Sequence, residues 1–138
     1  MLKDSPVVTT LPVTDPARAR RFYSEKLGLT PIEPDSDFYE CGDGTKFVIS
    51  LMGYKPGGHT QMAFAVKDIV AVVKELRAKG IKFEDYDYPT LKTVDGIADQ
   101  GDLKAAWFKD SEGNTIGIMQ PLSGAVLRFA FASRAATR

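Results

Sequence analysis

The spacing of apolar residues predicts two short amphipathic helices, each ended by a glycine. Apolar side chains recur at intervals of three and four residues between Pro16 and Gly28, and again between Asp68 and Gly80. That spacing places them on one face of a helix. Asp15 and Asp68 are favourable N-cap residues, and glycine favours helix termination. We therefore expect the helices to begin directly after the two aspartates.

Short runs of β-branched and aromatic residues, separated by Gly, Pro and Asp, predict strands around both helices. Tight turns at 42–44 and 110–114 are expected to join the last two strands of each half. A long acidic loop is predicted at 85–102, and an apolar tail follows the last strand. The predicted strands span residues 7–13, 29–33, 38–41, 46–52, 61–66, 81–84, 103–108 and 115–120.

The same order of elements occurs twice along the chain. Val13-Thr14-Asp15 corresponds to Val66-Lys67-Asp68, one triplet before each helix. A single sheet with one helix leaves a sheet face uncovered, so two such modules are needed to complete a domain. The sequence thus predicts an α+β fold of two βαβββ modules, 6–52 and 60–120, forming a single domain over 1–120. Residues 121–138 form a C-terminal extension.

The amino-acid composition argues against nucleic acids and anionic membranes as partners. The 138 residues contain 18 Lys+Arg and 18 Asp+Glu, for a formal net charge of zero. Proteins that bind nucleic acid or anionic membranes usually carry a basic excess, so neither partner is expected. The start of the chain has no apolar signal region, which makes the cytoplasm the expected location. Cys41 is the one cysteine and is expected to be a half-buried strand residue rather than a nucleophile.

Two segments resemble the vicinal oxygen chelate superfamily, which includes glyoxalase I, bleomycin-resistance proteins and extradiol dioxygenases. The first is 17–29, reading Ala-Arg-Ala-Arg-Arg-Phe-Tyr before Leu27-Gly28-Leu29, after Val13-Thr14-Asp15. The second is 108–114, reading Phe-Lys-Asp-Ser-Glu-Gly-Asn. The resemblance covers residues 6 to 120. It implies mixed sheets cupped around a shared ligand cavity, and a homodimer.

The resemblance also implies where a metal would be bound. Members that use a metal carry one ligand on the first strand and one on the last strand of each module. The corresponding residues here are Val8, Ser50 (or Val48, if the register is counted from the turn), Gln61 and Gly117. Divalent metals that polarise oxygen prefer carboxylate or imidazole ligands, which this set lacks. We therefore expect no metal ligands and no cofactor.

Strand alternation extends these four positions into a small, neutral, partly apolar face. Such a lining suits a small organic ligand, although the same residues would also pack against one another or against loop 85–102. His59 and Trp107 are added as a rim residue and an aromatic wall. The predicted ligand-binding residues are Val8, Thr10, Ser50, His59, Gln61, Ala63, Trp107, Gly117 and Met119.

Three functions remain open from the sequence. The first is a metal-free small-molecule binder resembling the antibiotic-sequestering branch, acting on an antibiotic or a metabolite. The second is a metal-dependent lyase, isomerase or dioxygenase whose site is rebuilt from His59 and the loop carboxylates of Asp95, Asp99 and Asp102. The third is an association domain with a vestigial cavity. No catalytic residue is assigned, because the predicted face contains no acid–base pair.

Overall fold

The computed structural model describes residues 2–51 and 56–131. The residues form two compact units, each with its own sheet. The first unit comprises Met1–Gly58 together with the turn Asp110–Asn114, and the second comprises His59–Lys109 and Thr115–Arg138. Of the expected elements, the end of the strand predicted at 46–52, the first half of the connection 53–58 and the end of the tail lie outside the described residues.

The first unit contains a three-stranded mixed sheet. Strand β1 (Thr9–Val13) is parallel to β3 (Lys46–Leu51), and β2 (Phe38–Glu40) is antiparallel to β3 on its other side. The predicted turn joins β2 to β3, with Asp43 at φ 58° and Gly44 at φ 72°. Two successive left-handed residues suit the twist of a tight hairpin. The hairpin is therefore formed where the Gly-Asp-Gly sequence predicted it.

Helix α1 (Pro16–Arg21) begins where the sequence predicts. The Asp15 carboxylate accepts a hydrogen bond from the backbone N–H of Arg18 at 3.1 Å. The helix continues as a π-helical turn, Phe22–Lys26, and the chain then turns at Gly28 with φ 70°. Only glycine adopts that conformation without strain, which explains why the helix ends there.

Aromatic packing forms the core of the first unit. The Tyr23 ring lies 5.3 Å from the ring of Phe47, which stacks on Tyr39 at 4.9 Å with nearly parallel planes. Leu11 and Ile49, partners in the β1–β3 register, are buried on the same side of the sheet. The helical segment therefore covers one face of this sheet through Tyr23.

A buried turn closes this unit from the far end of the sequence. Asp110 is buried and accepts hydrogen bonds from the Tyr23 hydroxyl at 2.7 Å and from the Asn114 amide at 2.9 Å. The Asn114 amide also donates to the carbonyl of Pro12 at 2.9 Å. Burial, and then the charge of Asp110, raise the pKa of the Tyr23 phenol, which therefore stays a hydrogen-bond donor.

Glu112, in the same turn, satisfies the start of α1. Its fully buried carboxylate accepts hydrogen bonds from the backbone N–H groups of Thr14 at 3.0 Å and Asp15 at 2.9 Å. Arg18 donates to the second oxygen at 2.7 Å. Burial alone would raise the pKa of Glu112, but the bonds from Arg18, the two backbone groups and Ser111 lower it to about 2.

The second unit contains a four-stranded mixed sheet in the order β4-β9-β8-β7. Strand β4 is parallel to β9, and β9, β8 and β7 are mutually antiparallel. A separate two-stranded ribbon is formed by β5 and β6. The strand bounds are β4 Thr60–Ala65, β5 Asp87–Tyr88, β6 Leu91–Lys92, β7 Ala98–Asp99, β8 Leu103–Lys109 and β9 Thr115–Pro121.

Helix α2 (Ile69–Ala78) covers one face of this sheet. Asp68 caps it by accepting from the N–H of Ala71 at 3.1 Å, as its sequence predicts. The side chain of Gln120 accepts from the N–H of Ile69 at 3.0 Å and adds a second cap. The chain leaves the helix at Gly80 with φ 89°.

Two predicted strands are not formed. Residues 29–33 contribute only an isolated bridge from Pro31 to Tyr39, because proline supplies no N–H for a ladder. Residues 81–84 contribute only a bridge from Phe83 to Phe108. The rest of that edge of β8 is paired with β7. The expectation of two further strands was therefore wrong.

The segment 85–102 is more ordered than the loop expected from its acidity. It contains the β5–β6 ribbon and the edge strand β7. The Asp85 carboxylate accepts hydrogen bonds from Thr93 at 3.1 Å and from the N–H of Gly96 at 3.2 Å, which ties the segment together. The prediction of an extended acidic lid loop is corrected accordingly.

The C-terminal extension begins with a third helix, α3 (Gly124–Ala130). The apolar tail that the sequence places after the last strand is therefore helical over these residues. Within the described ranges, no helix has both the length and the apolarity needed to cross a membrane.

We predict that Glu112→Gln lowers the free energy of unfolding by about 1.5 kcal/mol at pH 7, since a neutral amide accepts weaker hydrogen bonds from Arg18 and from the N–H groups of Thr14 and Asp15 than the carboxylate does. The folded-state pKa of Glu112 is lowered from 4.5 to about 2, so its contribution is complete above about pH 5 and is lost as the pH falls towards 2. Urea unfolding at a series of pH values should show the difference between variant and wild type shrinking in that window.

Glu40→Gln is the matched control. The Glu40 side chain is 57% exposed, and its oxygen lies 3.8 Å from Lys46 Nζ, so the substitution should change stability little at any pH. Equal effects of the two substitutions at pH 7 would contradict the role assigned to Glu112.

Candidate functional site

The predicted positions of the first unit lie on or beside the sheet face opposite Tyr23. Thr10 pairs with Val48 and is exposed, while Ser50 pairs with Pro12 and is half-buried. Val8 precedes β1 and is 44% exposed. Leu11 and Ile49, which adjoin Thr10 and Ser50 along the strands, are buried, as alternation predicts. Pro12 is buried as well, so the alternation is incomplete on β1.

A row of three predicted residues crosses the second unit's sheet. Ala63, Gly117 and Trp107 are direct partners on β4, β9 and β8. A side-chain carbon added at Gly117 would lie 3.2 Å from Ala63 Cβ, 3.4 Å from Thr60 Cγ2 and 3.6 Å from Trp107 Cδ1. These side chains therefore surround Gly117 on one face of the sheet, and Gly117 itself forms a shallow depression between them.

The next row on this sheet contains Met119. Its partners are Ala65 on β4 and Ala105 on β8. Both alanines are small, and Met119 is half-buried. These two rows carry small and apolar groups, and the next row on the same face carries Lys109, which pairs with Glu84 at 2.9 Å.

Gln61 departs from simple alternation. Thr60 pairs with Thr115 and Met62 pairs with Ile116, so Gln61 is an extra residue in β4 without a partner on β9. A bulge of this kind re-aims side chains. The Gln61 amide nitrogen lies 3.4 Å from Nε2 of His59, which is exposed. The structure therefore brings these two residues together at the start of β4.

Aromatic side chains flank the depression at Gly117. The Tyr86 ring meets Trp107 edge to face at 5.5 Å and stacks on Tyr88 at 6.0 Å. Trp107 is half-buried, and Tyr88 is 58% exposed. Burial raises the pKa of Tyr86, so its hydroxyl stays protonated at neutral pH. We refer to Trp107, Tyr86 and Tyr88 as the aromatic cluster.

The sequence pattern identified Trp107 as an aromatic wall but did not group it with Tyr86 and Tyr88. The structure selects Trp107 for the Gly117 face, whereas Phe108 contacts Phe83 on the α2 face. Tyr39, by contrast, is a core residue of the first unit. The grouping depends on the β5–β6 ribbon, which the sequence pattern did not predict.

The side chains available for chemistry are few. Burial, followed by the charge of Glu40, raises the pKa of Cys41, which argues against a reactive thiolate. Across residues 2–51 and 56–131, no group of three or more His, Cys, Asp or Glu side chains is placed to hold a metal ion.

The donor set also fails to fit the metal that the resemblance implies. Val8 and Gly117 offer no ligand atom, and the Ser50 hydroxyl and Gln61 amide are weak neutral donors for a divalent cation. His59 has an amide as its side-chain neighbour rather than a carboxylate. We therefore derive no chemical step through a metal.

Solved structures with the same fold come from several bacteria. A superfamily member from Sphaerobacter thermophilus is 23% identical, with 87% of this chain and 99% of that chain covered and a TM-score of 0.62. A putative glyoxalase family protein from Bacillus anthracis is 24% identical, with 83% and 90% covered and a TM-score of 0.60. TnmS3, an antibiotic binding protein from Streptomyces sp. CB03234, is 21% identical, with 88% and 98% covered and a TM-score of 0.57.

Each mixed sheet is covered on one face by a helix that follows a strand and begins at an aspartate cap. This is an α+β fold of the type shared by these structures. The model of the Glyoxalase/Bleomycin resistance protein/Dioxygenase superfamily matches residues 6–118. The chain belongs to this superfamily, as its sequence motifs indicated. No curated relative matches its sequence.

We predict that Gly117→Ala destabilises the protein by about 1 kcal/mol, because the added methyl group meets Ala63 Cβ on a paired strand that cannot move away. Ala63→Gly should relieve the clash, so thermal unfolding of the double-mutant cycle should show favourable coupling between the two sites.

Gly42→Ala provides the control, because a carbon added there meets no atom within 4 Å. A Gly117→Ala protein as stable as Gly42→Ala would show that the depression is wider than the structure indicates.

Proposed function

We propose that this protein binds a small, planar, uncharged organic molecule without a metal ion, and so sequesters an antibiotic or a metabolite. The observation that carries the proposal is the aromatic cluster beside the depression at Gly117. Gly117 and Ala63 add little side-chain height to the sheet, so a flat ligand can lie over them beside the indole ring. Aromatic walls with small neutral neighbours are typical of sites that hold flat ligands.

The energetics of such a site are those of burial and stacking. An aromatic pair contributes about 1 kcal/mol beyond the area that it buries. The charged groups beside the cluster, Lys109 and Glu84, pair with each other at 2.9 Å. The neutral polar groups of the proposed lining are the Thr60 hydroxyl and the Gln61 amide. A neutral ligand avoids the cost of burying an unpaired charge.

The Streptomyces neighbour, an antibiotic binding protein by its description, supports sequestration as one use of this fold. Its identity of 21% makes this an argument from fold only. We extend the proposal to a cytoplasmic homodimer, as the family resemblance implies. The remaining predicted lining residues, Val8, Thr10, Ser50 and Met119, belong to the proposal as further ligand contacts.

The single tryptophan of the chain allows a direct test. We predict that titration with uncharged 1,8-dihydroxyanthraquinone quenches the fluorescence of Trp107 saturably. Calorimetry on Trp107→Leu should show affinity reduced about fivefold, as loss of one stacking contact predicts. Phe129→Leu removes an aromatic ring that is 87% exposed on α3 and should leave affinity unchanged.

An unchanged affinity in Trp107→Leu would overturn the assignment of the site. If a varied set of planar neutral compounds neither quenches Trp107 nor raises the melting temperature, sequestration of such ligands would be wrong.

Metal content separates this proposal from the metal-dependent enzyme that His59 would support. We predict that protein purified without chelators contains well below one equivalent of Ni, Zn, Fe or Mn, and that His59→Ala contains the same amount. Elemental mass spectrometry measures both. A stoichiometric metal that is lost in His59→Ala would establish the rebuilt metal site and contradict the proposed function.

A further inference from the structure

Apart from the depression at Gly117, the second unit has a cavity on the side of its sheet where α3 packs. It has a volume of about 570 Å³, within the usual range for small-molecule sites. None of the nine residues predicted from the sequence lines it. Its lining residues are Val66, Lys67, Gln120, Pro121, Leu127, Arg128 and Phe131.

The cavity combines an apolar wall with two cations. Lys67 Nζ lies 5.7 Å from the centre of the Phe131 ring. Arg128 reaches the cavity from α3. Among the described residues, neither cation forms an ion pair, so both charges remain available to a ligand.

Nearby carboxylates do not neutralise these cations. Within ranges 2–51 and 56–131, no acidic residue lines the cavity. Asp68, next to Lys67 in the chain, is engaged as the cap of α2 through the N–H of Ala71. The segment 121–138 contains three arginines and no Asp or Glu. A ligand that enters the cavity therefore meets uncompensated positive charge.

Gln120 contributes a neutral donor to the same cavity. Its side-chain oxygen is committed to the N–H of Ile69 at 3.0 Å, which fixes the amide in place. The amide NH₂ group is thereby left as a donor rather than an acceptor. Three donor groups and no acidic acceptor group then line one apolar space.

We propose that this cavity binds a small organic anion, an aromatic or aliphatic carboxylate. Its carboxylate pairs with Lys67 and Arg128, and its apolar body lies against Leu127 and Phe131. The proposal is independent of the aromatic cluster and of the function assigned to it. The protein, although neutral in composition, would thus have a local site for anions.

The test uses a matched pair of ligands, 2-naphthoate and uncharged 2-naphthamide, titrated into the full chain and followed by backbone amide NMR. Naphthoate should shift the amides of residues 66, 67, 120 and 128, while naphthamide should bind there about tenfold more weakly. Shifts confined to the neighbourhood of Trp107, or equal affinity for both ligands, would overturn the proposal.

Lys67→Met and Arg128→Met should each weaken naphthoate binding about tenfold and leave naphthamide binding unchanged. Lys74→Met, on the exposed side of α2, removes the same charge elsewhere and should have no effect. Wild-type affinity in both cavity variants, with folding confirmed from their amide spectra, would refute the site. Anthraquinone should still quench Trp107 in those variants, because Trp107 does not line the cavity, so the two proposals are tested separately.

Discussion

The buried carboxylate of Glu112 holds the start of the first helix in place. It accepts hydrogen bonds from the N–H of the cap residue Asp15 and from the N–H of Thr14 just before it, and it pairs with Arg18 across a wide sequence separation. The adjacent Asp110 binds Tyr23, whose ring anchors the aromatic core. Because these carboxylates are buried, water cannot replace a hydrogen-bond donor that is removed, so each interaction depends on the others. The first unit is therefore built around one polar turn and the aromatic packing beside it.

The second unit solves the same problem with a neutral side chain. Each helix has an aspartate cap. Gln120, from the last strand, additionally accepts from the first N–H of α2, just as Glu112 accepts from the N–H of the cap residue of α1. A helix that begins directly after a parallel strand exposes N–H groups at the sheet edge, and a side chain from elsewhere in the chain must bond them. Fixing the Gln120 oxygen in this way also orients its amide towards the cavity that we assign to anions.

The two proposed binding places differ in their charge. The face around Gly117 has small neutral residues and aromatic rings, which favour a flat uncharged molecule. The cavity beside α3 has two cations and an apolar wall, which favour a carboxylate. Neither place gathers the carboxylates and imidazoles that a divalent metal needs. The family membership fixes the fold, and the binding roles that we propose rest on the side chains at these positions.

Local signals in the sequence determined the helix starts, the glycine stops, both tight turns and most long strands, because caps, turns and apolar periodicity act over a few residues. The strands expected at 29–33 and 81–84 failed because a strand needs a partner edge, and pairing of that kind is decided at long range. The bulge at Gln61 and the ribbon that brings Tyr86 to Trp107 have the same origin. The sequence alone determined the family, the neutral residues at the expected ligand positions and the scarcity of histidine. Only the tertiary structure decided which aromatic rings meet and where Lys67 and Arg128 line one cavity, since those contacts join residues that are distant along the chain.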